Sequence, residues 1–200
     1  MISCDRDDGL WTVTLNRPDK ANALTGAMLA ELADIAEDAA GKARVLILTG
    51  VGKVFSAGAD LDAAKAGLAT DPVWERLSGA LAALPCLTIA ALNGTLAGGA
   101  FGMALACDLR VAVPGASFFY PVMRLGYAPQ PSDPGRLAAL LGPARARLIL
   151  LAGARLDAAE ALAIGLIDRV ADDVMAEAHV LATPALGASS EHVARLKRMT

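Results

Sequence analysis

Leu87-Thr88-Ile89-Ala90-Ala91-Leu92-Asn93-Gly94-Thr95-Leu96-Ala97-Gly98-Gly99-Ala100 is the stretch whose reading decides the fold. It lies within a longer segment, Leu77 to Cys107, that holds no charged residue. On length alone that segment could form a helix spanning a bilayer. Its interior argues against one. Pro85 breaks it, and Asn93-Gly94 and Gly98-Gly99 place turns in its middle. A spanning helix would have to re-satisfy the backbone groups freed there. The segment therefore reads as helix, strand over Leu87–Leu92, glycine loop and helix over Ala100–Cys107, buried in a protein core without membrane insertion.

Working outward, Val45–Leu48 is a second short, fully apolar run, and a helix around Pro72–Leu84 separates the two. Two such runs joined by a helix make a βαβ unit with a parallel sheet. Leu109–Val113 is a third run. At the N-terminus, Ile2–Arg6 and Leu10–Leu15 flank Asp7-Asp8-Gly9 and read as a β-hairpin. Thr25 caps a helix over Gly26–Ala40 whose apolar face is Met28, Leu29, Leu32, Ile35, Ala36 and Ala39, and Gly41 ends it. From Asp133 onward the pattern is helical. Asp133-Pro134 has the form of an N-cap and first helical residue, and Gly142, Gly153 and Gly165 are stops. Asp157 with Glu160 has the form of a capping box. The fold class is α/β.

Composition narrows the function. The 200 residues fit one domain with at most a short appendage. Eighteen basic against 21 acidic residues give a net charge of −3, and the sequence pI near 5.3 argues against nucleic acid as a partner. Aromatic residues are 4 %, too few for a base-stacking platform. The mean hydropathy is high, +0.47, yet charged residues at 20 % are spread along the chain, as expected of a folded domain. Cys4, Cys86 and Cys107 make neither a disulfide framework nor a metal-spaced set. With no signal peptide visible in MISCDRDDG, the expectation is a cytoplasmic protein with reduced thiols and no metal. His179 and His192 sit in the C-terminal helical part and no G-x-S-x-G elbow occurs, which disfavours a serine hydrolase.

The chemistry concentrates at two strand–loop–helix junctions. One is Phe55-Ser56-Ala57-Gly58-Ala59-Asp60-Leu61, after Val45–Leu48. The other is Asn93-Gly94-Thr95-Leu96-Ala97-Gly98-Gly99-Ala100, after Leu87–Leu92. Open α/β sheets bind ligands beyond the carboxyl ends of neighbouring strands, and small residues let backbone approach a ligand closely. Two backbone N–H groups aimed at one carbonyl oxygen would form an oxyanion hole. A tight structural turn explains either loop equally well.

Several further motifs accompany these loops in a fixed order. They are Asn16-Arg17-Pro18-Asp19-Lys20-Ala21-Asn22-Ala23-Leu24, Cys107-Asp108-Leu109-Arg110, Gly126, Pro129, Arg136-Leu137, Asp157-Ala158-Ala159-Glu160-Ala161 and Gly165-Leu166-Ile167. Together they resemble the enoyl-CoA hydratase/isomerase (crotonase) superfamily over nearly the whole chain. The resemblance implies the crotonase β/α spiral of repeated ββα units over residues 1–170, followed by a truncated helical region over 171–200. It also implies an acyl-CoA thioester as substrate or ligand, no separate cofactor, and a homotrimer or hexamer. Familiar members continue with further helices after the one expected at Glu191–Met199. The oxyanion hole would be the N–H of Ala59 and of Gly99. Lys20, Ala21, Ala23, Leu24, Ala57, Asp60, Leu61 and Gly98 would hold coenzyme A, and Arg17, Lys20 and Lys53 are candidates for its phosphates.

The pattern breaks at the acids. Hydratases of the family use two glutamates, whose positions fall here at Gly102 and Val122, expected to line the pocket. Neither residue can move a proton, which puts two-glutamate hydration in question. Gln130 stands where some isomerases and dehalogenases carry an aspartate, and Ala100 replaces a third loop glycine. Asp133 is the nearest carboxylate, read as a helix N-cap or as a substitute acid/base. Tyr120 and Tyr127 read as pocket-wall or core residues. Two functions stay open: an enzyme working through a thioester enolate, and a non-catalytic acyl-CoA-binding protein.

Overall fold

The computed structural model describes every residue from Met1 to Thr200. The chain opens with β1 (Ile2–Asp7), β2 (Leu10–Leu15), α1 (Gly26–Ala39), β3 (Val45–Gly50), β4 (Val54–Ser56), α2 (Leu61–Lys65) and α3 (Val73–Ala82). It continues with β5 (Leu87–Leu92), β6 (Thr95–Ala97), α4 (Phe101–Ala106), β7 (Leu109–Ala112), β8 (Ser117–Phe119), α5 (Val122–Leu125), α6 (Asp133–Leu141) and α7 (Pro143–Leu150). It ends with β9 (Arg155–Asp157), α8 (Ala158–Ala163), β10 (Arg169–Val170), α9 (Val174–Leu186) and α10 (Ser190–Lys197).

The long apolar runs build one six-stranded sheet in the order β1-β2-β3-β5-β7-β10. β1 and β2 pair antiparallel as the expected hairpin. β2, β3, β5 and β7 run parallel, with Ile47 opposite Ile89 and Ala90 opposite Arg110. Continuous apolarity follows from burial on both faces. Leu46 and Leu48 of β3 face the main core with α1 and α3, while Val45 and Ile47 face a second cluster with Ile89, Ala91 and Val111. α9 closes that second face through Val174, Ala178 and Ala182, spaced four apart on one side of the helix.

A second sheet, β4-β6-β8-β9, lies outside the strands read from the residue pattern, which takes the segments of β4 and β6 as loops. Each of its strands has three residues, too few to show a period. The repeat is nonetheless the expected spiral. A long strand in the first sheet, a short strand in the second and a helix recur as β3-β4-α2, β5-β6-α4 and β7-β8-α5. The segment expected as a helix over 100–107 begins as a 3-10 turn at Gly98–Ala100 and becomes α4 at Phe101. No helix is long and apolar enough to cross a membrane.

The motif Cys107-Asp108-Leu109-Arg110 holds the frame. Asp108 accepts hydrogen bonds at 2.8 Å from the Thr88 N–H and from Lys197 Nζ, tying α10 to the sheet. The buried Arg110 guanidinium donates to the Leu166 and Cys107 carbonyls and pairs with Asp168 at 3.3 Å. Burial raises the Cys107 thiol to about 12 and the Cys86 thiol to about 11, so both stay protonated core groups.

Gly94 shows why a small residue stands at the joint of the two sheets. Its φ is not positive, yet a Cβ there would lie 2.0 Å from the Lys53 carbonyl oxygen. Gly94→Ala is expected to lower stability by about 3 kcal/mol, since backbone must move to admit the methyl. Gly115→Ala, where a Cβ would meet nothing within 4 Å, is expected to stay within about 0.5 kcal/mol. Denaturant unfolding of both variants checks the contrast.

Candidate active site

Both glycine loops leave the second sheet on the same side. Gly58 (φ +90) follows β4 and Gly98 (φ +58) follows β6. Only residues without a side chain hold these left-handed conformations at little cost. The loops touch: a Cβ on Gly58 would stand 2.8 Å from the Ala97 carbonyl and 3.3 Å from the Gly99 nitrogen. The Ala59 N–H, next along the first loop, has no partner within the chain.

The first loop is held from below by the Asn16–Leu24 segment. Leu24 N donates to Gly58 O and Asp60 N donates to Leu24 O, both at 2.8 Å. Ala57 N donates to Ala21 O at 3.0 Å, and Ser56 Oγ donates to Asn22 O at 2.8 Å. Asn22 is fully buried, takes the left-handed region at φ 51, and donates to Val51 O and Val54 O. Asp60 caps α2 and pairs with Arg17 at 2.8 Å, and the Arg17 hydrogen bond holds its carboxyl below the usual carboxylate range.

This changes the roles expected of several residues. Arg17 was expected as a phosphate-binding cation. It is committed to Asp60 and to the Ala23 carbonyl. Leu24 is fully buried, with both backbone groups engaged in the bridge to the Gly58–Asp60 turn. Lys20 and Lys53 are exposed and in no ion pair, and Leu61 stands out from the surface. The structure thus gathers Lys20, Ala21, Ala23, Leu24, Ala57, Asp60 and Leu61 around one turn.

Above the loops lies a cavity of about 290 Å³. Ala57, Ala59, Gly98 and Gly99 form one wall, and Tyr120, Val122, Tyr127 and Gln130 form another. Trp74 was not singled out from sequence. Its indole packs so close to Gly99 that a Cβ there would be 3.1 Å away, while its Nε1 donates to Leu68 O at 2.8 Å. Lys65 at the mouth was also missed. Both come from the segment after β4, where the sequence shows only ordinary helical spacing. None of the lining residues is Asp, Glu, His or Cys.

Two expectations about acids are corrected. Val122 lines the cavity, but Gly102 does not. Gly102 is the second residue of α4, is buried, and faces Asp133: a Cβ there would be 3.0 Å from Asp133 Oδ1. Asp133 is not the N-cap of α6. It is the first residue of that helix, after Ser132, and its carboxyl turns inward. Tyr120 Oη donates to Asp133 Oδ2 at 2.9 Å and accepts the Gln130 N–H at 3.3 Å. Asp133 Oδ1 has no partner, and the residue is fully buried. Tyr120 is buried as well, stacked on Phe101 with ring centroids 5.4 Å apart. Tyr127 is exposed at the rim.

Burial raises the Asp133 carboxyl to about 7. The Tyr120 hydrogen bond and the nearby Arg136 oppose the rise, and Glu75 adds to it. Burial first, then the Asp133 charge, raises the Tyr120 hydroxyl far above its usual range. The raised carboxyl has a signed consequence for stability. The unfolded chain ionises Asp133 near 3.8 and the folded chain near 7. Its favourable contribution is full below the lower value, falls between the two, and is gone above the upper one. The total change is up to about 4 kcal/mol at 1.36 kcal/mol per unit. Asp133→Asn should therefore gain stability relative to the parent between pH 4 and 7 and then level off. Unfolding curves of both proteins across that range check this.

Comparison with known proteins agrees with the geometry. A family model described as enoyl-CoA hydratase/isomerase matches residues 5–200. A probable enoyl-CoA hydratase of Mycobacterium leprae is 34 % identical over 205 residues, spanning 100 % of this chain and 82 % of that protein. One from Mycobacterium tuberculosis is 39 % identical over 201 residues, spanning 96 % and 77 %. The crystal structure of an enoyl-CoA hydratase from Mycobacterium avium subsp. paratuberculosis superposes with a TM-score of 0.90 at 33 % identity, covering 98 % of this chain and 82 % of that one. With the spiral, the paired glycine loops and this match over almost every residue, the chain belongs to the enoyl-CoA hydratase/isomerase (crotonase) family.

Proposed function

We propose that the cavity binds an acyl-CoA thioester, and that the Ala59 and Gly99 amides hold its carbonyl oxygen as negative charge develops on it. The observation that carries this is the pair of touching loops with an unpartnered Ala59 N–H at a cavity wall that also contains Gly99. An unpaired N–H is costly where no ligand or water satisfies it. A fixed pair of donors costs no reorganisation when an enolate forms.

The apolar wall of Trp74, Val122 and Leu125 suits the acyl chain. The exposed cations Lys20 and Lys53 suit the phosphates of coenzyme A, and the turn around Ala21, Ala23 and Ala57 offers small residues to its adenine and pantetheine parts. Gly102 and Val122 leave the two-glutamate route without its groups, so the reading is an enolate-stabilising member of the family, an isomerase before a hydratase.

Calorimetry with butyryl-CoA and with butyl-CoA, the thioether lacking the carbonyl, tests the oxygen site. Two amide bonds of about 1 kcal/mol each predict the thioester to bind at least about 10-fold more tightly. Equal affinities would remove the oxyanion hole from the reading.

A further inference from the structure

The cavity wall has no carboxylate, yet one of its residues, Tyr120, is hydrogen-bonded to a buried one. Tyr120 lines the cavity, and its Oη donates to Asp133 Oδ2 at 2.9 Å. Asp133 approaches from α6 and fills the notch beside Gly102, where even a methyl group would stand 3.0 Å from Oδ1. That Oδ1 is fully enclosed and unpartnered. A buried carboxyl oxygen without a donor is costly for an anion and tolerable for a proton carrier.

Resting on the thioester reading above, we infer that Tyr120 and Asp133 form a proton relay: Tyr120 meets the α-carbon of the bound acyl group and Asp133, acting through it, stores the proton. The substrate class that fits is a β,γ-unsaturated acyl thioester, whose α-hydrogen is acidified from both sides. In the first step the Cα–H bond breaks and its electron pair enters the dienolate, with negative charge on the thioester oxygen. The proton passes to Tyr120 Oη as the proton of Tyr120 passes to Asp133 Oδ2. In the second step Asp133 returns a proton to Tyr120 while Tyr120 protonates the γ-carbon. The double bond moves into conjugation, and no water, oxidant or second acid is consumed. Hydration would need another group to activate water, and the wall at Val122 is apolar.

The relay needs Asp133 ionised at the start. The groups facing it are Tyr120, Arg136 on its own helix and Glu75 on α3, while α4 presents no charged residue. Burial sets the balance near 7, so activity should rise with pH through that region and then level.

The test follows deuterium uptake at Cα and conversion of a 3-enoyl-CoA to its conjugated isomer. It compares the parent protein, Asp133→Asn, Tyr120→Phe and the double variant, with thermal unfolding and acyl-CoA affinity measured alongside. Each single variant should slow both reactions by about 100-fold or more and leave affinity within about 3-fold. The double variant should be no slower than either, as for residues that act as a unit. The pH inflection near 7 should vanish in Asp133→Asn.

A folded Asp133→Asn protein at the parent rate, or with the parent inflection, overturns the relay. So does a parent protein that binds acyl-CoA tightly without exchanging the α-hydrogen or converting the 3-enoyl-CoA, which leaves the thioester site standing as a binding site. Should Asp133→Asn fail to fold, Tyr120→Phe at the parent rate overturns it equally. Absence of acyl-CoA binding by the parent would defeat the thioester reading itself, and the relay with it.

Discussion

The contact between Gly58 and the Ala97–Gly99 turn sets the position of everything around the cavity. Parallel pairing of β4 with β6 brings the two turns together, and the missing side chain at Gly58 lets the backbone of one rest on that of the other. A Cβ at 2.8 Å from a backbone carbonyl cannot be absorbed by a rotamer change, because the obstacle is main chain. The approach fixes the Ala59 and Gly99 amides relative to each other before any ligand arrives. Fixed dipoles are what make such a site useful in the proposed chemistry.

Around that contact the fold adds a second layer of restraint. Arg17 joins Asp60 to the Ala23 carbonyl, and Asn22 joins its own turn to Val51 after β3 and to Val54 at the start of β4. These polar side chains are largely enclosed, and their donors are matched to backbone carbonyls and to the Asp60 carboxylate. Their role is to hold backbone, so the Asn16–Leu24 motif braces the Gly58–Ala59 turn.

The primary sheet was legible because its central strands are long enough and apolar enough to announce burial on both faces. The hairpin, α1 with its Thr25 cap and the Asp157–Glu160 capping box were legible for equally local reasons. The second sheet was not. Strands of three residues carry no period, and they exist because glycines at 58 and 94 permit close approach across the chain. The same difference divides the site. The two glycine loops were readable from small residues after apolar runs, and the structure brings them to one wall. Asp133 misled because Asp-Pro before a helical pattern has the local form of an N-cap. Its inward turn depends on a residue 31 positions away that has no side chain. Arg17 misled likewise, since a cation in a loop shows nothing of the distant carboxylate that takes it.

The pairing of Gly102 with Asp133 also explains why the absence of an acid at one position and its presence at the other belong together. A side chain at 102 would place its Cβ 3.0 Å from Asp133 Oδ1, so a glutamate there and an aspartate at 133 would compete for one space. If both fitted, two carboxylates in a water-poor notch could not both ionise. The notch therefore holds a single carboxyl, carried on α6 and not on α4, and set behind a tyrosine instead of facing the cavity. Placing it there leaves the wall without a carboxylate, while Tyr120 both lines the cavity and donates its hydroxyl to the enclosed acid. On the proposed reading, a site with one acid/base group and no second group to activate water favours a double-bond shift over addition of water.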